Sequence, residues 1–207
     1  MIELLDAYDQ SGIFLKTAER KALLKEMKSE SEQKGDCSFA VPCINLMLVD
    51  KNGDLYVVQR GDKPENPFLY DKTVGGHVSS GEGFDETLRR ETAEEIGIDL
   101  IISNPFDFHR QLKSVNLEKV ALVKLIDYKI WLPSLRVVQD GAAWTKRVQL
   151  AAYMGRYDGD LEFMDGEALS LKKMSREQLS EAIQQNPTAY TDDLKWWFKH
   201  YPAFLWD

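Results

Sequence analysis

Residues 76–98 read GHVSSGEGFDETLRRETAEEIGI, and seven of them carry chemistry at fixed spacing: Gly76, Glu82, Arg90, Glu91, Glu94, Glu95 and Gly97. From Phe84 onward, Phe84, Leu88, Thr92 and Ile96 fall four apart, as on one stripe of a helix. Gly97 is the expected stop just past its end, so the spacing predicts a helix over 83–96. At about 100° per residue, Glu91 and Glu95 project within a few tens of degrees of Phe84 and Leu88, with Glu94 on the flank. Three carboxylates at the edge of a buried stripe repel one another and lose hydration, so something cationic must offset them. An oxygen-only donor set favours a hard divalent ion, Mg²⁺ first and Mn²⁺ second. The ordinary alternative for a charge run, a solvated helix face, fits poorly with acids placed beside the apolar stripe.

Arg90 stands four residues before Glu94, near enough to orient one acid by a charge-assisted bond. Gly75 and Gly76 open a loop where backbone must approach an ion or phosphate closely. Seven fixed identities in one register have a chance on the order of 10⁻⁸ to 10⁻⁹ per starting position at average residue usage. The pattern G-x5-E-x7-R-E-T-x-E-E-x-G-I resembles the Nudix box, the signature of hydrolases that cleave diphosphates linked to another group. The resemblance implies that Arg90 and Glu82 orient the metal-binding glutamates and that the Gly75 carbonyl is a further metal ligand. Glu91 and Glu95 are then the first metal ligands, and Glu94 is either the next ligand or the group that positions water. Thr92 stands where a bulky aliphatic residue is usual; it buries less apolar surface and leaves the acids untouched.

Working outward, VVQRGDKPENPFLYDKTVGGHVSSGE at 57–82 is similar to the Nudix branch related to isopentenyl-diphosphate isomerases, and Asn186-Pro187-x-x-Tyr190-Thr191 before an aromatic helix looks like that branch's C-terminal region. It implies an α/β Nudix fold, a mixed β-sheet sandwiched between α-helices. It also raises an isomerase-like reading. Such isomerases carry a catalytic cysteine in the strand leading to the box and a histidine-rich metal site, whereas Tyr70 to His77 holds no cysteine and the chain has three histidines. A third reading, a silent Nudix-fold ligand-binding module, predicts lost box glutamates, and all four are present.

The 207 residues suffice for one well-buried domain with terminal extensions, with a net charge of −8. That charge argues against a nucleic-acid surface. It also means a phosphate substrate needs help from metal ions and from basic residues near the box: Arg60, Lys63 and Lys72, with His77 as a further phosphate contact. No apolar run is long enough to span a bilayer, and the acidic start MIELLDAYDQSG does not read as a signal peptide, so no membrane association and a cytoplasmic location are expected. Cys37 and Cys43 form neither a CxxC pair nor a disulfide framework.

The remaining elements follow from local signals. Glu3 to Thr17, with its Ser11-Gly12 turn, reads as a small hairpin, and residues 18–31 as a helix. Phe39 to Val49 and Leu55 to Gln59 read as strands joined at Asn52-Gly53, and residues 61–74 as a substrate-facing loop ending in a short strand. Asp99 to Ile102, Phe106 to Lys113, Trp144 to Arg156 and Glu167 to Met174 read as extended; residues 117–141 read as mixed strand and short helix. Arg176 to Gln185 is a helix capped by Ser175, and Thr191-Asp192-Asp193 opens another. The aromatic tail from Trp196 to Trp206 is expected to dock on the domain, the alternative being a subunit interface that would make a homodimer. Domain boundaries are expected at 1–35 for a hairpin and helix extension, 36–175 for the Nudix domain and 176–207 for a packed C-terminal helical extension.

The expected activity is Mg²⁺-assisted attack of water on a diphosphate linkage in a nucleoside diphosphate derivative or related small molecule. Glu167 is the candidate base outside the box, with Glu162 and Glu118 behind it. Phe68 and Tyr70 are candidates for stacking on a base, with core packing the alternative.

Overall fold

A computed structural model describes residues 2–164 and 166–201. The chain runs through β1 (Leu4–Tyr8), β2 (Phe14–Glu19), α1 (Arg20–Lys34), β3 (Val41–Val49), β4 (Leu55–Arg60), β5 (Tyr70–Asp71), β6 (Val74–His77) and α2 (Phe84–Ile96). It continues through β7 (Asp99–Ile102), α3 (Phe108–Gln111), β8 (Val120–Val137), β9 (Ala143–Arg156), β10 (Ala168–Met174), α4 (Arg176–Gln185) and α5 (Asp192–His200).

The main sheet is mixed, in the order β10-β4-β3-β9-β8-β7, with β5 on β4 and β6 on β3. β3 and β9 run parallel from Val41/Val148 to Val49/Arg156, and all nine residues of β3 are buried, as expected for a central strand covered on both faces. On one face Leu23 and Met27 of α1, Leu179 of α4 and Leu194 and Trp197 of α5 join Val41, Met47 and Val49 in one core. On the other, Leu88 and Ile96 of α2 pack with Ile44, Leu46 and Leu48. The sheet is thus sandwiched between helices, as the resemblance implied. The β1–β2 hairpin forms a separate two-stranded sheet whose Leu5 and Ala7 reach the first core.

β3 and β4 pair only at Val49/Leu55, and beyond that point they diverge. The segment 70–77 enters between them: β5 pairs with β4 at Val58 and Gln59, and β6 pairs with β3 from Cys43 to Leu46. Between the two short strands, the buried Thr73 hydroxyl accepts from Leu48 N–H (3.0 Å) and donates to the Tyr56 carbonyl (2.8 Å). One side chain therefore satisfies two backbone groups that the split ladder would leave orphaned.

Several local expectations hold. Gly53 takes φ 84° at the β3–β4 turn, and Gly97 takes φ 68° at the end of α2. Ser175 caps α4 in a full capping box with Gln178. Others need correction. α1 continues through the polar stretch to Lys34, stopped by Gly35 at φ 81°. The Phe106 to Lys113 stretch is not extended: it turns at Asn104, whose side chain accepts from Phe106 N–H, and contains α3. Most of residues 117–141 is one long strand, β8, kinked by register shifts between Leu125 and Asp127 and between Lys129 and Leu132. Trp197 is fully buried and Trp196 packs beside it, so this part of the aromatic tail docks on the sheet. Trp206 lies outside the described residues.

Candidate active site

The box helix presents its acids as the spacing required: Leu88, Thr92 and Ile96 are buried, Glu91 and Glu95 are half-buried, and Glu94 is exposed. The β6 end and the following loop bring Gly75, Gly76 and His77 against α2. Gly76 gives the Glu91 carboxyl group its place: a Cβ there would occupy the same space and push that side chain aside.

Arg90 organises the cluster. Its Nε and Nη2 bind Glu82 at 2.9 and 2.8 Å in a two-pronged pair, while Nη1 reaches Glu91 at 2.9 Å and Glu94 at 3.2 Å. Nη2 also donates to the His77 carbonyl at 3.4 Å. Glu82 further accepts from the Thr87 hydroxyl at 2.7 Å. The hydrogen bonds from Arg90, with help from Thr87, pull its carboxyl down to about 2 despite partial burial. The arginine is locked in its charged form by the same contacts. Glu91 behaves oppositely: burial raises its pKa, and the adjacent Arg90 only partly offsets this.

A carboxyl lowered on folding, as at Glu82, contributes stability above its ordinary value of 4.5, and that contribution is lost as pH falls toward 2. The loss in melting temperature between neutral pH and about pH 3 should therefore be smaller in Glu82→Gln than in the wild type, as read by thermal melts across pH. Equal pH dependence in the two proteins would rule this linkage out.

A divalent cation fits this chemistry. The donors are all oxygen, Glu91 carries a buried charge that one arginine does not fully offset, and Gly76 leaves its carboxyl room beside the backbone. Glu91, Glu94, Glu95 and the Gly75 carbonyl would hold it. Among the described residues these acids are not already drawn into a cage; Arg90 instead holds one oxygen each of Glu91 and Glu94.

The acids open onto a cavity of about 1050 Å³ that also takes in Arg60, Lys63, Lys72, His77 and Glu167. Of the proposed binding residues, Lys72 is buried between Asp71 and Asp193, at 3.2 Å from each. Arg60 pairs with Asp71 at 3.2 Å and donates to the carbonyls of Glu65 and Asn66. Lys63 is ion-paired with Glu167. The His77 ring nitrogen Nε2 contacts Lys146 Nζ. Glu162 and Glu118 do not line this cavity. Phe68 is exposed at φ 61° outside the lining, and Tyr70 packs against Tyr190 with the rings tilted by 31° and their centres 5.5 Å apart.

Three wall residues escaped sequence reasoning: Ser134 and Arg136 on β8, and Lys146 on β9. Lys146 had a signal, since it is the one charged residue in the alternating buried stripe Trp144, Lys146, Val148, Leu150. Asp193 also belongs to the wall. It accepts from Ser134 at 2.6 Å and pairs with Arg136 at 3.3 Å. Burial opposes its ionisation, yet Arg136 and Lys72 outweigh that and hold it far below the usual carboxylate range.

A loop and helix that together carry four clustered glutamates against a strand with two adjacent glycines, opening on a cavity lined by charges of both signs, mark a mixed α/β protein with an acid-rich site. The NUDIX domain family profile matches residues 40–196, and the chain belongs to that family. An uncharacterized Nudix hydrolase of Nostoc sp. is 34% identical over 104 residues, covering 50% of this chain and 56% of that protein. A Nudix hydrolase of Deinococcus radiodurans is 36% identical over 61 residues, 29% of this chain and 36% of that protein. The chain thus spans about half the length, or less, of these curated relatives. The crystal structure of DR0079 from Deinococcus radiodurans superposes with a TM-score of 0.62 at 20% identity, covering 95% of this chain and 98% of that one, which is a likeness of fold.

Proposed function

We propose that the chain is a divalent-metal-dependent hydrolase that cleaves a diphosphate linkage in a nucleoside diphosphate derivative or related small molecule. The observation that carries this reading is the intact box, with Arg90 bridging Glu82, Glu91 and Glu94 at the mouth of a cavity large enough for such a ligand. Mg²⁺, or Mn²⁺, would neutralise the nonbridging oxygens and lower the pKa of a water molecule. The protein's part is positioning. Glu82 fixes Arg90, Arg90 fixes the carboxylates of Glu91 and Glu94, and Gly76 lets the Glu91 carboxyl group lie against the strand. Glu94, exposed beside the cavity, is placed to orient water. Glu167 reaches the same cavity, and its pairing with Lys63 would have to loosen for it to take a proton. The 1–35, 36–175 and 176–207 division, a cytoplasmic location and a homodimer belong to this proposal as well. No helix among the described residues is long and apolar enough to cross a membrane.

Isomerase-like chemistry is the second reading, and one observation favours it. Cys43 is the register partner of His77 across β3 and β6 and lines the cavity, although it lies far from the box in sequence.

The test is product release from a panel of nucleoside diphosphate derivatives, dinucleotides and prenyl diphosphates, with Mg²⁺ or with chelator, in wild type and Glu95→Gln. Phosphate-bond cleavage that needs metal and falls at least about tenfold in the variant is expected. Rearranged isopentenyl diphosphate without cleavage would replace hydrolase by isomerase. Ligand-induced stabilisation without turnover of any panel member would favour the binding module.

A further inference from the structure

The inner wall of the cavity carries more positive charge than its acids match. Arg60, Lys72, Arg136 and Lys146 line it together with Asp193 and Glu65, and the buried Asp71 stands against two of them. Arg60 and Lys72 are paired with Asp71, Lys72 and Arg136 with Asp193, and Arg136 stands 3.9 Å from Glu65. Lys146 is different. It is 3% exposed, its ammonium contacts His77 Nε2, and among the described residues it has no carboxylate at ion-pairing distance. Burial lowers its pKa from the ordinary lysine value; as an ammonium it can only donate, so His77 then accepts at Nε2 and adds no negative charge. Nearby, Arg136 Nε is buried and, among the described residues, makes no hydrogen bond; it stands 3.9 Å from a Glu65 carboxylate oxygen, beyond hydrogen-bond distance.

An unmatched buried cation is unusual in any protein and more so in one of net charge −8. Removing an ammonium from water is unfavourable unless an anion or several acceptors replace the lost hydration. Within the wall the register aligns Ser134 with Lys146 and Arg136 with Trp144, which sets the two donor-bearing residues on neighbouring strands beside the cavity. Leu132, Val148 and Leu150 line the same space and offer apolar contact to whatever carries the anion.

We propose that Lys146 is a specificity-determining residue: its free N–H groups, with Arg136 Nε–H, bind an oxyanion of the ligand on the β8–β9 wall, while the organic part of that ligand lies against Leu132, Val148 and Leu150. The proposal deepens the hydrolase reading and rests on it for the ligand being a small organic phosphate. The wall selects compounds whose phosphate or carboxylate group reaches this point. Neutral compounds of the same shape are rejected, because they would leave the ammonium buried and unmatched.

Its test needs neither metal nor turnover, which separates its failure from failure of the hydrolase reading. Inorganic pyrophosphate, inorganic phosphate and malonate are titrated calorimetrically into metal-free protein with chelator, in wild type, Lys146→Met, Lys146→Gln and Lys146→Arg. Loss of charge-assisted bonds should weaken binding of the preferred anion by about tenfold to a hundredfold in the uncharged variants. Lys146→Arg, which keeps the charge, should stay within about threefold of wild type. Preference for pyrophosphate or phosphate over malonate makes the bound group a phosphate, and the reverse makes it a carboxylate. Lys146→Met should fold at least as stably as wild type, since it removes a buried unmatched charge; Lys146→Gln serves the same comparison if it does not. The proposal is overturned if the wild type binds none of the three anions. It is equally overturned if the uncharged variants bind them as the wild type does, whatever their melting temperature; a lower one would leave Lys146 only the task of holding His77.

Discussion

Glu91→Gln is expected to lower diphosphate cleavage by about a hundredfold to a thousandfold, the scale seen when one electrostatic contact to the reacting group is removed, while the protein melts no lower than wild type. The two halves of this result come from the same burial. Glu91 is half-covered by the β6 backbone at Gly76, and that burial raises its pKa even beside Arg90. An acid raised on folding is a charge the folded state tolerates poorly at neutral pH, so a neutral isostere relieves the fold. The amide keeps the shape and can still accept from Arg90, so Glu82 and Glu94 should hold their places. What disappears is one formal negative charge where a divalent cation would sit. The check is steady-state kinetics with Mg²⁺ beside thermal melts of the metal-free protein. Activity within about twofold of wild type would remove Glu91 from the metal ligands.

Asp193→Ala is expected to produce the largest loss of stability, about 3–5 kcal/mol, as when one partner of a buried ion pair is removed. Its side chain receives Lys72, Arg136 and Ser134 together. Deleting it would leave Arg136 with only Glu65 at 3.9 Å and Lys72 with Asp71 alone. In a chain of this size the melting temperature should fall by about 10 °C. Because Asp193 is held below the ordinary carboxylate range, its contribution is present at neutral pH and is lost as pH falls through that range toward its folded value. The wild-type advantage should therefore shrink in acid. A variant melting within about 2 °C of wild type at neutral pH would mean that Lys72 and Arg136 find other partners.

The parts of the fold legible in the sequence are those specified by near neighbours. The box helix declares itself by a four-residue stripe and a terminal glycine, and the predicted 83–96 differs from α2 by one residue at its start. The α4 cap needs only Ser175 and Gln178, three residues apart. β8 was illegible for the converse reason. Its two register shifts break the alternation that marks a strand, and it contains Pro133, tolerated because pairing with β7 involves only Val120 to Val123. The site divides in the same way. The acids and the arginine that orients them come from one loop and helix, so spacing alone groups them. The inner wall joins Lys72 from the link between β5 and β6, Arg136 and Lys146 from the β8–β9 hairpin, and Asp193 from α5. No local pattern links those positions. Lys72 illustrates what is lost: read alone it was a substrate-attracting charge, and the structure gives it two internal partners.

The insertion of residues 70–77 between β3 and β4 bears on how such a site can diversify. The space in front of the box exists because the sheet forks there, with Thr73 holding the two prongs together at the root. A void made by connectivity does not depend on the size of the side chains around it. In the proposed hydrolase, side chains that line the space from β8 and β9 can be exchanged while β6 and α2, which carry the box, keep their places, so the compound accepted can drift and the acids remain.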